Sequence, residues 1–367
     1  MVVVFYITSH GFGHATRDLE IIRHIQQQRP GTRIVVRTAV PRWFLDRASG
    51  GTIDIHSVET DTGIAQIDSL QLDEAETARR ALAFYRTFDA RIDAEAAVLK
   101  ELHASVVVGD VPPLAFAAAH RANVPSIAVA NFTWDWIYAG YQRFSSDAPG
   151  VMTTIRDAYS QTTLALRLPF AGGFETMQAI RDVPLVARRS RRTREDNRRL
   201  LDLDHARPVV LASFGGHHTV IPFEKIARTH DMTLVLTDYE ADYQSSEGFD
   251  GRLRRLTSAM LEHADIRYED LVAAADVVVS KPGYGIVSEC IANQTALLYT
   301  SRGVFAENDV LLAGMQPVVR SQFIAQDDLR SGRWETAIRA LLDQPPPKEV
   351  IAINGAEKAA AAILGSG

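Results

Sequence analysis

Short, unbroken apolar runs alternate along this chain with longer segments whose apolar residues recur every three or four positions. Val2 to Ile7 is the first run, rich in β-branched residues, and such runs suit strands buried on both faces of a parallel sheet. Leu19, Ile22 and Ile25 follow with polar residues between them, which predicts a helix. Arg33 to Thr38 is the next predicted strand, and Pro41 opens another helix at a position proline favours. Asp73 to His103, rich in Ala, Leu, Glu and Arg, reads as one long helix. Val106 to Val108 and Ser126 to Ala130 are two more buried strands, separated by an alanine-rich helix from Leu114 to Arg121.

The alternation then restarts, with strands predicted at Pro208 to Ser213, Thr233 to Thr237, Asp276 to Val279 and Ala296 to Thr300. Two successive series of this kind predict an α/β protein of two doubly wound, parallel-sheet (Rossmann-like) domains. Pro184, followed by the run Arg188-Arg189-Ser190-Arg191-Arg192-Thr193-Arg194, marks the join. The expected domains are therefore 1–185 and 186–350. Residues 351–367, with the cluster Ala359 to Ala362, are expected to form a terminal helix that packs back on the first domain. The arginine run reads as a solvated linker or helix face, with phosphate contact as the alternative.

Length supports the division, since 367 residues exceed what one hydrophobic core usually holds. The net charge of −6 provides no global basic field for nucleic acid or an anionic membrane. Cys290 is the single cysteine, which excludes an intrachain disulfide and a cysteine-rich metal site and fits a reducing, cytoplasmic setting. Met1 to Thr8 lacks a basic leader and runs into a glycine turn, so it reads as a strand and not a signal peptide. No apolar run approaches the roughly 18 residues of a membrane span. A soluble protein is expected.

Candidate chemistry gathers where predicted strands end. The first runs into Thr8-Ser9-His10-Gly11-Phe12-Gly13-His14-Ala15-Thr16-Arg17, a glycine turn flanked by two histidines. Its spacing is not GxGxxG and no acidic residue follows the second strand, so a dinucleotide site is not expected. Asp110, in Val108-Gly109-Asp110-Val111-Pro112, should emerge at the same sheet edge as His14. A carboxylate there orients an imidazole and stabilises its protonated form, although an ordinary N-cap is an equal reading. Asn131 to Tyr138, with Trp134, Asp135 and Trp136, offers either interdomain core or a stacking platform for a polar ligand. In the second half Ser213-Phe214-Gly215-Gly216-His217-His218 follows a strand, and no nearby carboxylate or cysteine has metal-ligand spacing. Ser280-Lys281-Pro282-Gly283-Tyr284-Gly285-Ile286-Val287-Ser288-Glu289 follows another strand and opens a helix, placing free amides where a diphosphate could sit. Glu289 lies about one and a half turns inside that helix, placed to accept both hydroxyls of a ribose. Glu307 and Asn308, after the next strand, offer groups for sugar hydroxyls.

In this order the segments resemble the GT-B glycosyltransferases, including MurG-like and plant UDP-sugar transferases. Over nearly the whole chain they resemble the glycosyltransferase-like N-terminal half of plant L-arabinokinases. The matching stretches are His10 to Arg17, Asp68-Ser69-Leu70, Asp110 to Pro112, Asn131 to Tyr138, Arg167 to Pro169, Asp182 to Pro184, Phe214 to Gly216 and Gly283 to Glu289. The resemblance implies a metal-independent transfer from a UDP-linked sugar to an acceptor hydroxyl or amine. His14 would be the base and Asp110 its partner. His10, Gly11, Phe12, Gly13, Arg17, Asn131, Trp134 and Asp135 would face a small-molecule acceptor. The donor would meet Gly215, Gly216, His217, Lys281, Gly283, Tyr284, Gly285, Ser288, Glu289, Glu307 and Asn308. The nucleotide sugar is a co-substrate, so no resident cofactor and no metal are expected. No kinase activity is expected of these residues. Glu307-Asn308 replaces the glutamine-bearing sugar-contact motif of many plant transferases, leaving the sugar open. A UDP-sugar 2-epimerase and a non-catalytic sugar-nucleotide sensor are the competing readings.

Overall fold

The computed structural model describes residues 1–49, 51–67, 71–203, 206–214, 221–237, 251–301, 303 and 305–367. Strands β1 (Val2–Ile7), β2 (Arg33–Thr38), β3 (Asp54–Ser57), β4 (Val106–Asp110), β5 (Ser126–Phe132), β6 (Leu164–Gly172) and β7 (Ile180–Asp182) form one sheet in the order β3-β2-β1-β4-β5-β6-β7. Strands β8 (Val209–Ala212), β9 (Thr233–Thr237), β10 (Leu253–Leu256), β11 (Val277–Ser280), β12 (Ala296–Tyr299) and β13 (Ser321–Phe323) form a second, in the order β10-β9-β8-β11-β12-β13. Neighbouring strands in both sheets run parallel. This is the doubly wound α/β architecture the alternating runs predict. The strand order reverses between β1 and β4, and again between β8 and β11. Ligands of open parallel sheets bind outside the carboxyl ends of the strands at such points.

Central strands are buried on both faces, which is why they read as continuous apolar runs. The segment predicted as one helix over Asp73 to His103 is two, Glu74–Tyr85 and Phe88–Glu101. Asp73 caps the first, accepting from the Glu76 amide at 2.9 Å. The break between them lets Phe84, Phe88 and Ile92 reach one apolar cluster with Leu114.

Between the sheets, the segment after β7 is strapped along the helix Tyr284–Asn293. The Val186 amide donates to the Tyr284 hydroxyl, and the Ser190 amide donates to Asn293 Oδ1 at 2.9 Å. Asn293 Nδ2 in turn donates to the Arg188 carbonyl at 3.0 Å. Part of the arginine run is ion-paired, through Arg188, Arg192 and Arg194, while Arg189 and Arg191 are exposed as the solvated reading expects. Arg192 meets Asp265 and Asp270, and Arg194 meets Asp276. The helix Gly355–Leu364 buries Ala356, Ala359, Ala360 and Ile363 in the same core as Ile21, Ile22 and Ile25 of the first domain. The Leu185 amide bonds the Ala352 carbonyl at 3.0 Å beside it.

Candidate active site

Strand β1 ends beside β4, with Ile7 paired to Asp110. The chain then turns through Gly11, whose φ of 94° is a conformation that glycine adopts without strain, and enters the helix Phe12–Gln28. His14 lies in its first turn. Its Nδ1 is 2.9 Å from Asp110 Oδ1, and both residues are buried. Arg17, one turn further, donates from Nε to Asp110 Oδ2 at 2.5 Å and from Nη2 to Oδ1. Arg17 Nη2 is also 3.0 Å from His14 Nδ1. The ionised Asp110 carboxylate only accepts, so Nδ1 carries the proton it donates to Oδ1, Arg17 Nη2 faces a second donor there, and Nε2 keeps its lone pair. Burial alone would push the Asp110 carboxyl up, but Arg17 and His14 hold it below the ordinary aspartate value.

From Arg17 a hydrogen-bonded line crosses to the other domain. Arg17 Nη1 donates to Asn131 Oδ1 at 2.7 Å, and Asn131 Nδ2 donates to Glu307 Oε1 at 2.7 Å. Two further buried carboxyls stand nearby. Asp61 accepts from Thr8 Oγ1 and Trp134 Nε1, both at 2.8 Å, and burial pushes it up to about 6. Asp18 has no hydrogen-bond partner on either oxygen, and burial pushes it well above the usual carboxylate range.

Across the cleft, β11 ends at Ser280 and Gly283 opens the helix Tyr284–Asn293. The two glycine turns meet: a Cβ on Gly285 would sit 3.3 Å from Gly13 Cα. Glu289 is buried and accepts from Arg188 through Oε1 alone, at 2.7 Å from Nε. Burial pushes its carboxyl up to about 7; Arg188 pulls it down and Glu269 pushes it up again. A cavity of about 680 Å³ lies between the two turns. It is within the usual range for a small-molecule site.

That cavity brings together His10, Gly11, Phe12, Gly13, His14, Arg17 and Asn131 from the first domain with Lys281, Gly283, Tyr284, Gly285, Glu289 and Glu307 from the second. Other expected site residues do not join them. Trp134 is fully buried and stacks on Tyr138, because its indole is drawn inward to Asp61; it is core and not an exposed platform. Asp135 is turned away and faces Arg156 at 3.3 Å. Ser288 donates to the Gly285 carbonyl of its own helix at 2.8 Å and does not line the cavity, and neither does Asn308. Arg17 lines the cavity, but its donors are committed to Asp110 and Asn131, so it is no simple acceptor contact. Gly215, Gly216 and His217 lie outside the described residues, as do Asp68, Ser69 and Leu70. Sequence reasoning missed Tyr268 and Glu269, which line the second-domain wall of the cavity, and Asp61 behind His14; Arg188, on the same wall, it offered only within the arginine run. Among the described residues, no group of three or more His, Cys, Asp or Glu is arranged to hold a metal. No described helix is long and apolar enough to cross a membrane.

No protein-family model matches the chain. It is 29% identical to L-arabinokinase of Arabidopsis thaliana over 366 residues, which is 98% of this chain and 34% of that protein. The chain thus spans about a third of that relative's length. Among solved structures it is similar to the glycosyltransferase SnogD from Streptomyces nogalater, at 16% identity and a TM-score of 0.57, covering 100% of this chain and 99% of that one. It is similar to the glycosyltransferase VinC in complex with dTDP, at 14% identity, TM-score 0.59 and coverages of 99% and 96%. The spinosyn rhamnosyltransferase SpnG, complexed with thymidine diphosphate, is 12% identical with a TM-score of 0.57 over 100% and 96% of the two chains. Two doubly wound parallel sheets facing a shared cleft, matched along their whole length by these structures, give this chain the GT-B glycosyltransferase fold.

Proposed function

We propose that this protein is a glycosyltransferase that moves a sugar from a nucleoside diphosphate sugar, UDP-linked, to a hydroxyl or amine of a small acceptor. The observation that carries the reading is the His14–Asp110 pair at 2.9 Å, whose His14 lines the same cavity as the Gly283–Gly285 turn and Glu289. His14 Nε2 takes the acceptor proton as the acceptor atom attacks the anomeric carbon. The bond from that carbon to the diphosphate oxygen breaks, and its electron pair leaves with the diphosphate. Attack opposite the leaving group inverts the anomeric carbon. Helix amides after Gly283, with Lys281, receive the developing negative charge, so the step needs no metal. Glu289 accepts ribose hydroxyls through the oxygen that Arg188 leaves open. Glu307 contacts the sugar, and the turn from His10 to Gly13 frames the acceptor. The thymidine diphosphate in two similar structures supports a nucleoside diphosphate here.

Thermal-shift titration with UDP and thymidine diphosphate, then product analysis with donor and acceptor panels, tests this reading. UDP should stabilise the protein, and EDTA should leave turnover intact. His14→Ala should lower turnover by about 10²–10⁴-fold, the usual share of general-base catalysis, with UDP affinity unchanged. Near-normal turnover in folded His14→Ala would remove His14 as the base. Isomerised sugar from donor alone would replace transfer with epimerisation.

A further inference from the structure

Asp110 is shared. Its Oδ1 accepts from both His14 Nδ1 and Arg17 Nη2, while its Oδ2 accepts from Arg17 Nε. The guanidinium spans both carboxylate oxygens, a bidentate arrangement that fixes orientation as well as charge. It is itself held on its far side by Asn131 Oδ1 and lies 5.1 Å from the centroid of the Tyr284 ring, on the opposite domain. A histidine–aspartate pair without it would place an unshared carboxylate beside the imidazole, favouring the charged ring. Here a buried cation stands 3.0 Å from Nδ1 and opposes that charge.

We propose that Arg17 is a positioning residue that locks Asp110 and opposes positive charge on the His14 ring, leaving Nε2 able to accept a proton. This rests on the reading of His14 as the base, but the charge on the ring can be followed without turnover. The other groups around the ring do not replace Arg17. Asp61 and Asp18 are buried acids, and Glu307 is reached only through Asn131. Phe132 meets the ring edge-on at 5.5 Å, and Lys281 and His10 lie in the cavity wall.

The test is titration of the His14 ring by NMR on protein labelled at histidine Cε1, assigned with His14→Ala, in wild type, Arg17→Gln and Arg17→Lys. Arg17→Gln should move the His14 midpoint upward by about 1–3 pH units, the usual effect of a nearby charge. The acid limb of the turnover profile should move with it. Arg17→Lys should move it less, in the same direction, because an ammonium cannot bridge both Asp110 oxygens. An unchanged or lowered midpoint in folded Arg17→Gln overturns the proposal. If Arg17→Gln does not fold, an unchanged midpoint in Arg17→Lys overturns it. The NMR titration separates the two ideas: a raised midpoint with no transfer from any donor upholds the role of Arg17 in setting the ring charge while sinking the transferase reading.

Discussion

At the scale of single residues, Glu289 makes the clearest pH-dependent claim. Burial pushes its carboxyl up to about 7 in the folded protein, against 4.5 for an ordinary glutamate. The folded state therefore binds the extra proton between those values, and Glu289 lowers the stability of the free protein as pH rises through that window. In the proposed transferase, nucleotide binding runs the other way, because ribose hydroxyls donate to the ionised form of Glu289. UDP affinity measured by calorimetry should weaken by up to about tenfold per unit as pH falls below 7. In Glu289→Gln that part of the dependence should vanish, leaving only the titration of the nucleotide phosphate. Identical pH profiles in both proteins would take Glu289 out of the ribose site. The pairing of His14 with Asp110 was legible because one follows β1 and the other ends β4 of one parallel sheet, and strand ends at a switch point lie together. The sharing of Asp110 with Arg17 was not, since a side chain's choice of partner is decided by tertiary contacts. The same limit misplaced Trp134: an aromatic residue after a strand reads alike whether it faces a cleft or, as here, a buried aspartate.

At the scale of elements, the legible strands are those whose two faces are both covered. β1, β2 and β9 coincide with their predicted bounds because each holds at least three consecutive apolar residues, and in β2 the buried Arg37 follows that run without breaking it. Strands β3, β7, β10 and β13 went unpredicted. They are short, and β3, β7 and β13 are largely exposed or half-buried, so polar residues hide the pattern. β6 was missed too, although Ala165, Leu166 and Leu168 are buried, because Arg167 and Pro169 break its run. The strap along the helix Tyr284–Asn293 was equally silent in sequence, yet it carries a stability claim. Asn293 bonds the Arg188 carbonyl, the Glu289 carbonyl and the Ser190 amide. Asn293→Ala leaves these partly buried backbone groups short of partners. It should cost about 1–3 kcal/mol in urea denaturation, the usual penalty for such a loss. Looser placement of Arg188 should weaken UDP binding in the same variant. Unchanged stability would mean that water replaces the asparagine without loss.

At the scale of the molecule, the two sheets enclose one cavity, and contacts cross it at Asn131–Glu307 and where Gly13 meets Gly285. A further link lies away from the cavity, where the helix Gly355–Leu364 completes the first domain's core. Gly355 sits so close to the Pro184 and Leu185 backbone that no side chain fits there. A fragment of residues 1–185 should therefore expose the apolar face around Ile22 and Ile25, bind a hydrophobic dye and melt without cooperativity. Adding residues 351–367 as a peptide should suppress the dye signal and sharpen the melt. A fragment that melts cooperatively alone would show this helix to be dispensable. Time enters through that helix. A ribosome emits the first sheet early, but the piece that covers it emerges only after the entire second sheet. During synthesis the first half waits with an oily face open, and the speed at which the second half is made sets how long that face is exposed to wrong partners.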